Sequence, residues 1–295
     1  CDGIIDLVGC GNAGGDDLAW LPTLQQWVQA RAAQGGTLLC VTRGLENCHS
    51  APVNLAGALR AGFSRMLQSE YARIVSRHLD LDDAGDDASA QQIRDEYFTR
   101  SPDAQVCRRD GERYRAVLDA AIVAPEASVT SLALPDDAVL WITGGTRGLG
   151  YLCARHFVRR HGVKRLLLTC REPLPERASW DALSREETAL GRQLRDLIAL
   201  EADGATLRIA SVRLTDADAV AAEIADVTRT LGPIAGFLHC AGRIDPATPA
   251  FVRKPVADMR DVLEPKVPAL PVVFAALRQQ PLRFAALFSS VSAIV

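Results

Sequence analysis

The run Thr143-Gly144-Gly145-Thr146-Arg147-Gly148-Leu149-Gly150 lies between an apolar stretch, Ala138 to Thr143, and a segment with helical apolar spacing, about Tyr151 to His161. A strand that turns through glycines straight into a helix leaves few folds open. Glycines permit a tight turn and close approach of backbone to a pyrophosphate. The helix start adds unpaired N–H groups and the positive end of its dipole. The spacing is T-G-x-x-x-G-x-G rather than G-x-G-x-x-G. The plainer alternative is that the glycines only let the helix pack closely.

The same alternation recurs along the chain. Strand Arg165 to Thr169, helix Ser184 to Asp203, strand Thr206 to Val212, helix Asp216 to Leu231 and strand Ile234 to Cys240 follow the loop. A helix leading to Pro265, another from Ala269 to Gln279 and a final strand Phe284 to Ser289 complete the series. Ser184 and Glu187 form a Ser-x-x-Glu capping box for the first long helix. Upstream, the periodic segment Leu21 to Ala33 precedes the apolar run Thr37 to Thr42, and Val53 to Val75 carries helical spacing. Short, nearly continuous apolar strands alternating with helices predict an α/β chain of two Rossmann-like, doubly wound parallel-sheet subdomains. The Pro-, Ser- and acid-containing stretch 124–137 marks the boundary, giving subdomains 1–127 and 128–295. The acidic run Asp80 to Asp87 reads as a solvated loop, because it lacks an oxygen-ligand loop pattern.

Composition narrows the function. With 48% hydrophobic and 23% charged residues and a net charge of -3, the chain is an ordinary soluble globular protein. It is neither disordered nor an electrostatic nucleic-acid binder. Apolar stretches are too short to cross a bilayer, so no membrane partner is expected. The start, Cys-Asp-Gly-Ile-Ile-Asp, has no initiator Met and no secretion signal, and reads as a piece of a longer polypeptide. The eight cysteines form no C-x-x-C and no metal spacing with histidines. They read as small buried thiols in a reducing cytoplasm, and no metal site is expected.

The end of the second strand discriminates the cofactor. Thr169-Cys170-Arg171 offers a cation where an NAD site would present a carboxylate to the ribose, and this favours NADPH with its 2′-phosphate. Arg147 is either a second charge for that phosphate or a solvated surface group.

TGGTRGLG, LLLTCR, FLHCAG (Phe237 to Gly242), EPKV (Glu264 to Val267) and LFSS (Leu287 to Ser290) stand in one order along the chain. In that order they resemble the short-chain dehydrogenase/reductase pattern as it occurs in ketoreductase domains of modular, type I polyketide synthases. The resemblance covers most of the chain and makes the N-terminal half a structural, degenerate Rossmann-like subdomain. It implies NADPH-dependent reduction of a β-keto group held as a thioester on the phosphopantetheine of an acyl carrier protein. It further implies neighbouring synthase domains as partners and a cytoplasmic setting. Ser290 matches the serine that holds the carbonyl oxygen, with Ser289 and Ser292 as rivals. Lys266 matches the lysine that binds the nicotinamide ribose and lowers the pKa of a tyrosine acid. The loop 143–150, with Arg171, Ala241 and Gly242, matches the cofactor site. Arg253 and Arg260 suit docking of an acidic carrier protein.

The sequence departs from this pattern in three places. Arg213-Leu214 stands where family members carry Asp-Val or Asn-Val against the adenine, and arginine there would stack on the ring. Ile244-Asp245-Pro246 half-matches a Leu-Asp-Asp stereochemical signature, which makes Asp245 the candidate for stereocontrol. The tyrosine is expected about a dozen residues beyond Ser290, whereas Tyr71, Tyr97, Tyr114 and Tyr151 all precede it. The second subdomain is therefore expected to be incomplete at its C-terminus and the chain inactive alone. The alternative is a structural pseudo-ketoreductase that braces neighbouring domains. A free-standing dehydrogenase is disfavoured by the long N-terminal subdomain, read as lacking a glycine loop, and by the position of Lys266.

Overall fold

The computed structural model describes residues 1–11, 18–49, 53–120, 134–243 and 249–290. Its contacts divide it into a unit of Cys1–Ala124 with Ala247–Val256, and a unit of Pro125–Pro246 with Ala257–Val295. The stretch read as the boundary, the 127/128 division within it and Asp245 fall largely or wholly outside the described residues.

In the first unit β1 (Gly3–Gly9), β2 (Gly36–Arg43), β3 (Ile74–Leu81) and β4 (Gln105–Arg109) run parallel in chain order, and β5 (Glu112–Arg115) returns antiparallel. Helices α1 (Leu21–Arg31), α2 (Ala58–Glu70) and α3 (Asp86–Phe98) make the crossovers. The β4–β5 reversal is Asp110-Gly111, both at positive φ (50° and 81°), the two-residue turn that Asp-Gly favours. The segment around Phe251 packs here too. Gln25 Nε2 donates to the Phe251 and Lys254 carbonyls at 2.7 and 2.8 Å, and the Phe251 amide donates to Glu70 at 2.7 Å.

Two expectations are corrected in this unit. The helical reading of 53–75 holds only for α2, because β3 already begins at Ile74. The run from Asp80 is not solvated at its start, since Asp80 is a fully buried residue of β3. It pairs with Arg109 and accepts hydrogen bonds from Thr42 Oγ1 and from the Leu45 and Glu46 amides at 2.9 and 3.0 Å. Four donors around one carboxylate satisfy a charge that burial alone would make costly.

In the second unit β6 (Val139–Thr143), β7 (Arg165–Cys170), β8 (Thr206–Ser211), β9 (Ile234–His239) and β10 (Phe284–Leu287) are all parallel, in the order β10-β9-β6-β7-β8. Side chains alternate across this sheet with period two, so each strand serves two cores. Leu140, Ile142, Leu166, Leu168 and Leu238 pack with Ala154, Phe157 and Val158 of α4 (Gly148–His161). Beyond the short α5 (Trp180–Leu183), α6 (Ala189–Ala202) adds Leu194, Leu197 and Leu200 to that core. Val139, Trp141, Leu167 and Phe237 face the other way, onto α7 (Ala217–Thr230) and, past α8 (Val256–Leu263), α9 (Ala269–Leu277). This is a doubly wound sheet, and the chain reverses direction across it between β6 and β9.

The expected Ser184 capping box is also corrected. Helix α6 opens at Ala189, where Thr188 Oγ1 accepts from the Gly191 amide at 2.9 Å, while Ser184 bonds back to the Asp181 carbonyl. A Thr-capped start at 188 leaves 184–187 as a turn. Among the described residues no helix is long and apolar enough to cross a membrane, and no group of three metal-ligating side chains occurs.

The Asp80 network yields the first prediction. Asp80→Ala leaves the Arg109 guanidinium buried without its partner and should lower stability by about 3 to 5 kcal/mol in urea denaturation. Burial pushes the Asp80 carboxyl up, but bonds from Thr42, Arg109 and the Leu45 and Glu46 amides outweigh it and hold it below its usual range. The parent chain's advantage over the variant is therefore complete above about pH 4 and shrinks as pH falls through the lowered value. A gap that does not change with pH would refute this account.

Candidate active site

The crevice at the carboxyl ends of β6 and β9, where the sheet reverses, is where open α/β sheets receive ligands. The loop after β6 is shaped by two glycines above all. A Cβ on Gly150 would lie 2.2 Å from the Gly144 carbonyl oxygen, so only glycine lets the first turn of α4 close on the loop. Gly148 has φ of +57° and no heavy atom within 4 Å of its Cβ position, which leaves backbone exposed to open space. Arg147 at the N-cap is extended and supplies no side-chain cap, so the first amides of α4 have no side-chain acceptor there. Glycine backbone, open space and an uncapped helix start together fit a pyrophosphate.

Thr143 and Thr146 are buried, Leu149 is exposed. The Thr143 hydroxyl accepts from the Ala241 amide at 3.3 Å and shares a hydrogen bond of 2.8 Å with His239 Nδ1. Burial, with the Lys266 charge adding to it, holds His239 down to about 4, and the ring is neutral at physiological pH. Gly144 in turn abuts the Ala241 backbone, placing Ala241 and Gly242 beside the glycine loop.

Arg171 follows β7 and Arg213 and Leu214 follow β8. Both arginines reach Glu264, Arg213 Nε at 2.6 Å and Arg171 at 3.5 Å. Leu214 is partly buried against the α7–α9 core.

Lys266 lies near Gly242, its Cε 3.8 Å from where a Gly242 Cβ would be. Its Nζ donates to the Phe288 carbonyl at 2.9 Å, just beyond β10. Burial lowers its pKa, with the Cys240 thiol opposing the shift. That thiol is itself pushed up to about 12, chiefly by burial beside Cys153. Ser290 stands exposed two residues past Phe288. Gly144 thus lies against Ala241 and Gly242 near Lys266, and Arg171 and Arg213 converge on one carboxylate. Glu264 was not among the candidates; its signal was a lone acid inside EPKV.

Each of the four tyrosines is engaged in its own surroundings. Tyr71 accepts the Val252 amide at 3.3 Å, Tyr97 meets Phe98, Tyr114 meets His49, and Tyr151 is buried in the core along α4. A second glycine run, Gly9-Cys10-Gly11-Asn12-Ala13-Gly14, follows β1 with G-x-G-x-x-G spacing, but α1 opens only at Leu21, well beyond it. That run does not lead directly into α1, and its residues 12–14 lie outside the described ones.

Known proteins carry the same pattern. The KR domain profile matches residues 138–295. Polyketide synthase PksL of Bacillus subtilis (strain 168) is 43% identical over 296 residues, covering 99% of this chain and 6% of that protein. The 5-methyl-1-naphthoate synthase of Streptomyces sahachiroi is 35% identical over 157 residues, 53% of this chain and 8% of that protein. An A1-type ketoreductase structure aligns with TM-score 0.76 at 23% identity, covering 99% of this chain and 59% of that one. The chain therefore spans under a tenth of these two synthases. With the fold, the crevice and the ordered motifs in agreement with these matches, the chain belongs to the KR, or ketoreductase, domain family of polyketide synthases.

Proposed function

We propose that the chain binds NADPH at the β6–β9 crevice and serves, within a larger synthase, to reduce the β-keto group of a carrier-protein-bound polyketide intermediate to a hydroxyl. One observation carries the reading: the glycine-lined start of α4, without a side-chain cap, stands with Arg171, not a carboxylate, directly after β7. When bound, NADPH supplies the hydride. The 144–150 backbone and the α4 amides hold the pyrophosphate. Arg171, joined by Arg147, meets the 2′-phosphate, and Arg213 with Leu214 flanks the adenine. Ala241 and Gly242 give the nicotinamide half room at the crevice. Lys266, held by the Phe288 carbonyl, binds the nicotinamide ribose and lowers the pKa of the proton donor. Ser290 donates to the carbonyl oxygen where negative charge develops. Asp245 is assigned to stereocontrol.

The substrate arrives on the phosphopantetheine of an acyl carrier protein, with neighbouring synthase domains holding the assembly together in the cytoplasm. Arg253 and Arg260 are exposed and suit an acidic carrier surface. A second reading, a pseudo-ketoreductase that braces its neighbours, is favoured by the engagement of all four tyrosines elsewhere.

Calorimetric titration separates the two. The ketoreductase reading expects the 295-residue chain to bind NADPH about tenfold or more tighter than NADH. Arg171→Ala should erase most of that difference, and Gly150→Ala should weaken both cofactors by forcing the loop away from the first turn of α4. Failure to bind either cofactor supports the bracing role. For turnover, this chain should bind NADPH without oxidising it, and a longer stretch of the parent protein that supplies the tyrosine should reduce a β-ketoacyl thioester. In that longer protein Ser290→Ala should cut the rate by about 10² to 10³ while leaving NADPH affinity unchanged. Equal losses in rate and affinity would remove Ser290 from the reaction.

A further inference from the structure

Arg171, placed above at the 2′-phosphate, and Arg213, placed at the adenine, are not independent surface charges. Arg213 Nε donates to Glu264 Oε1 at 2.6 Å, Arg171 reaches Oε2 of the same carboxylate at 3.5 Å, and Thr215 Oγ1 donates to Oε1 at 3.4 Å. Glu264 is the shielded partner, 19% exposed against 56% for Arg171 and 75% for Arg213. One carboxylate, in the turn between α8 and α9, thus gathers two guanidiniums from the ends of adjacent strands.

We infer that Glu264 is a specificity-determining counter-ion, which holds Arg171, tied through the same carboxylate to Arg213, until a 2′-phosphate takes its place on Arg171 and so sets how far a phosphorylated cofactor is preferred. The inference rests on the NADPH reading above. A phosphate monoester carries close to two negative charges and three acceptor oxygens, where a carboxylate has one charge and two oxygens. Guanidinium forks accept either. Exposed ion pairs are weak, so the carboxylate yields to the dianion. Its own charge stays fixed in the turn beside the site and opposes the phosphate it admits. Removing that charge strengthens binding of the 2′-phosphate and leaves a cofactor without it unaffected. A purely structural clamp has the opposite sign, because released arginines would meet the phosphate less well.

The sign is therefore the test. The 295-residue chain and its Glu264→Gln variant are titrated calorimetrically with adenosine 2′,5′-bisphosphate and with adenosine 5′-monophosphate, then with NADPH and NADH. The fragments lack the nicotinamide half and so exclude any effect through Lys266. In the variant the bisphosphate and NADPH should bind about fivefold tighter, with 5′-monophosphate and NADH unchanged. Unchanged or weaker bisphosphate binding overturns the inference, and so does an equal gain for the 5′-monophosphate. Glu264→Ala must shift the same way, which guards against a poorly folded first variant. If the parent chain binds NADH as tightly as NADPH, the cofactor reading fails and the inference falls with it. If the parent prefers NADPH and Glu264→Gln does not raise that preference, only the inference fails.

Discussion

Where β6 and β9 lie side by side, the chain leaves the sheet in opposite directions, and the rest of the site hangs from that divergence. The two strand ends are held by one buried hydroxyl. Thr143 accepts from the Ala241 amide and hydrogen-bonds to His239 Nδ1, so the glycine loop on one side and Ala241-Gly242 on the other start from a fixed distance. Gly144 then packs on Ala241, Gly242 lies by Lys266, and Lys266 bonds to the carbonyl of Phe288. A chain of short contacts thus runs from β6 through β9 to the end of β10. Because His239 stays neutral, this connection adds no positive charge that would compete with Lys266 or repel it further.

Charge in the crevice is arranged by a single turn. Residues 264 and 266 flank Pro265, yet the carboxylate serves the arginines after β7 and β8 while the ammonium serves the end of β10. Desolvation weakens the lysine's hold on its proton, and the Phe288 carbonyl keeps one of its donors satisfied. The nearby Cys240 thiol is pushed too high to ionise near neutral pH, so it does not cancel the lysine charge. An unneutralised, partly desolvated ammonium is the form suited to stabilising negative charge on a neighbouring acid.

Much of this was legible in the sequence because the second unit obeys local rules. Leu140, Ile142, Leu166 and Leu168 are apolar for one face and Val139, Trp141 and Leu167 for the other, so the strands read as unbroken apolar runs. The glycine loop was legible because its context, strand before and helix after, is itself local. The first unit was harder. In β3 the sequence Ser76-Arg77-His78-Leu79-Asp80 looks solvated, yet every polar member is buried. Ser76 bonds to Ser64, Arg77 to carbonyls at Glu96 and Asp103, and Asp80 to Arg109, partners that lie far off in sequence. Periodicity cannot see such pairings. The β4–β5 hairpin carries its signal in Asp110-Gly111, and the Ser184 capping box is the stronger local pattern although tertiary packing starts the helix at the Thr188 cap. Glu264 escaped notice because its meaning depends on two arginines that only the fold brings to it.

The two sheets put similar chemistry to different ends. In the first unit the carboxyl ends of β2 and β3, where a parallel α/β sheet ordinarily meets its ligand, hold Thr42, His78 and Asp80 turned inward. Thr42 gives its proton to Asp80 and lies 2.8 Å from His78 Nε2, and Arg109 closes the cluster while bonding to the Cys48 carbonyl at 2.8 Å. Burial brings His78 down to about 4, so the ring stays neutral beside this ion pair. The strands there run in chain order, so successive crossovers step the same way, and among the described strands the loops meet no point of parting. Asp80 and Arg109 at that end turn their hydrogen bonds onto the chain itself and fix the loop over 45–48 to β3 and β4. In the second unit the reversal parts the loops, the helix start carries no side-chain cap, and two exposed arginines are held by one carboxylate. Strand order, more than residue type, decides which of the two ends faces outward.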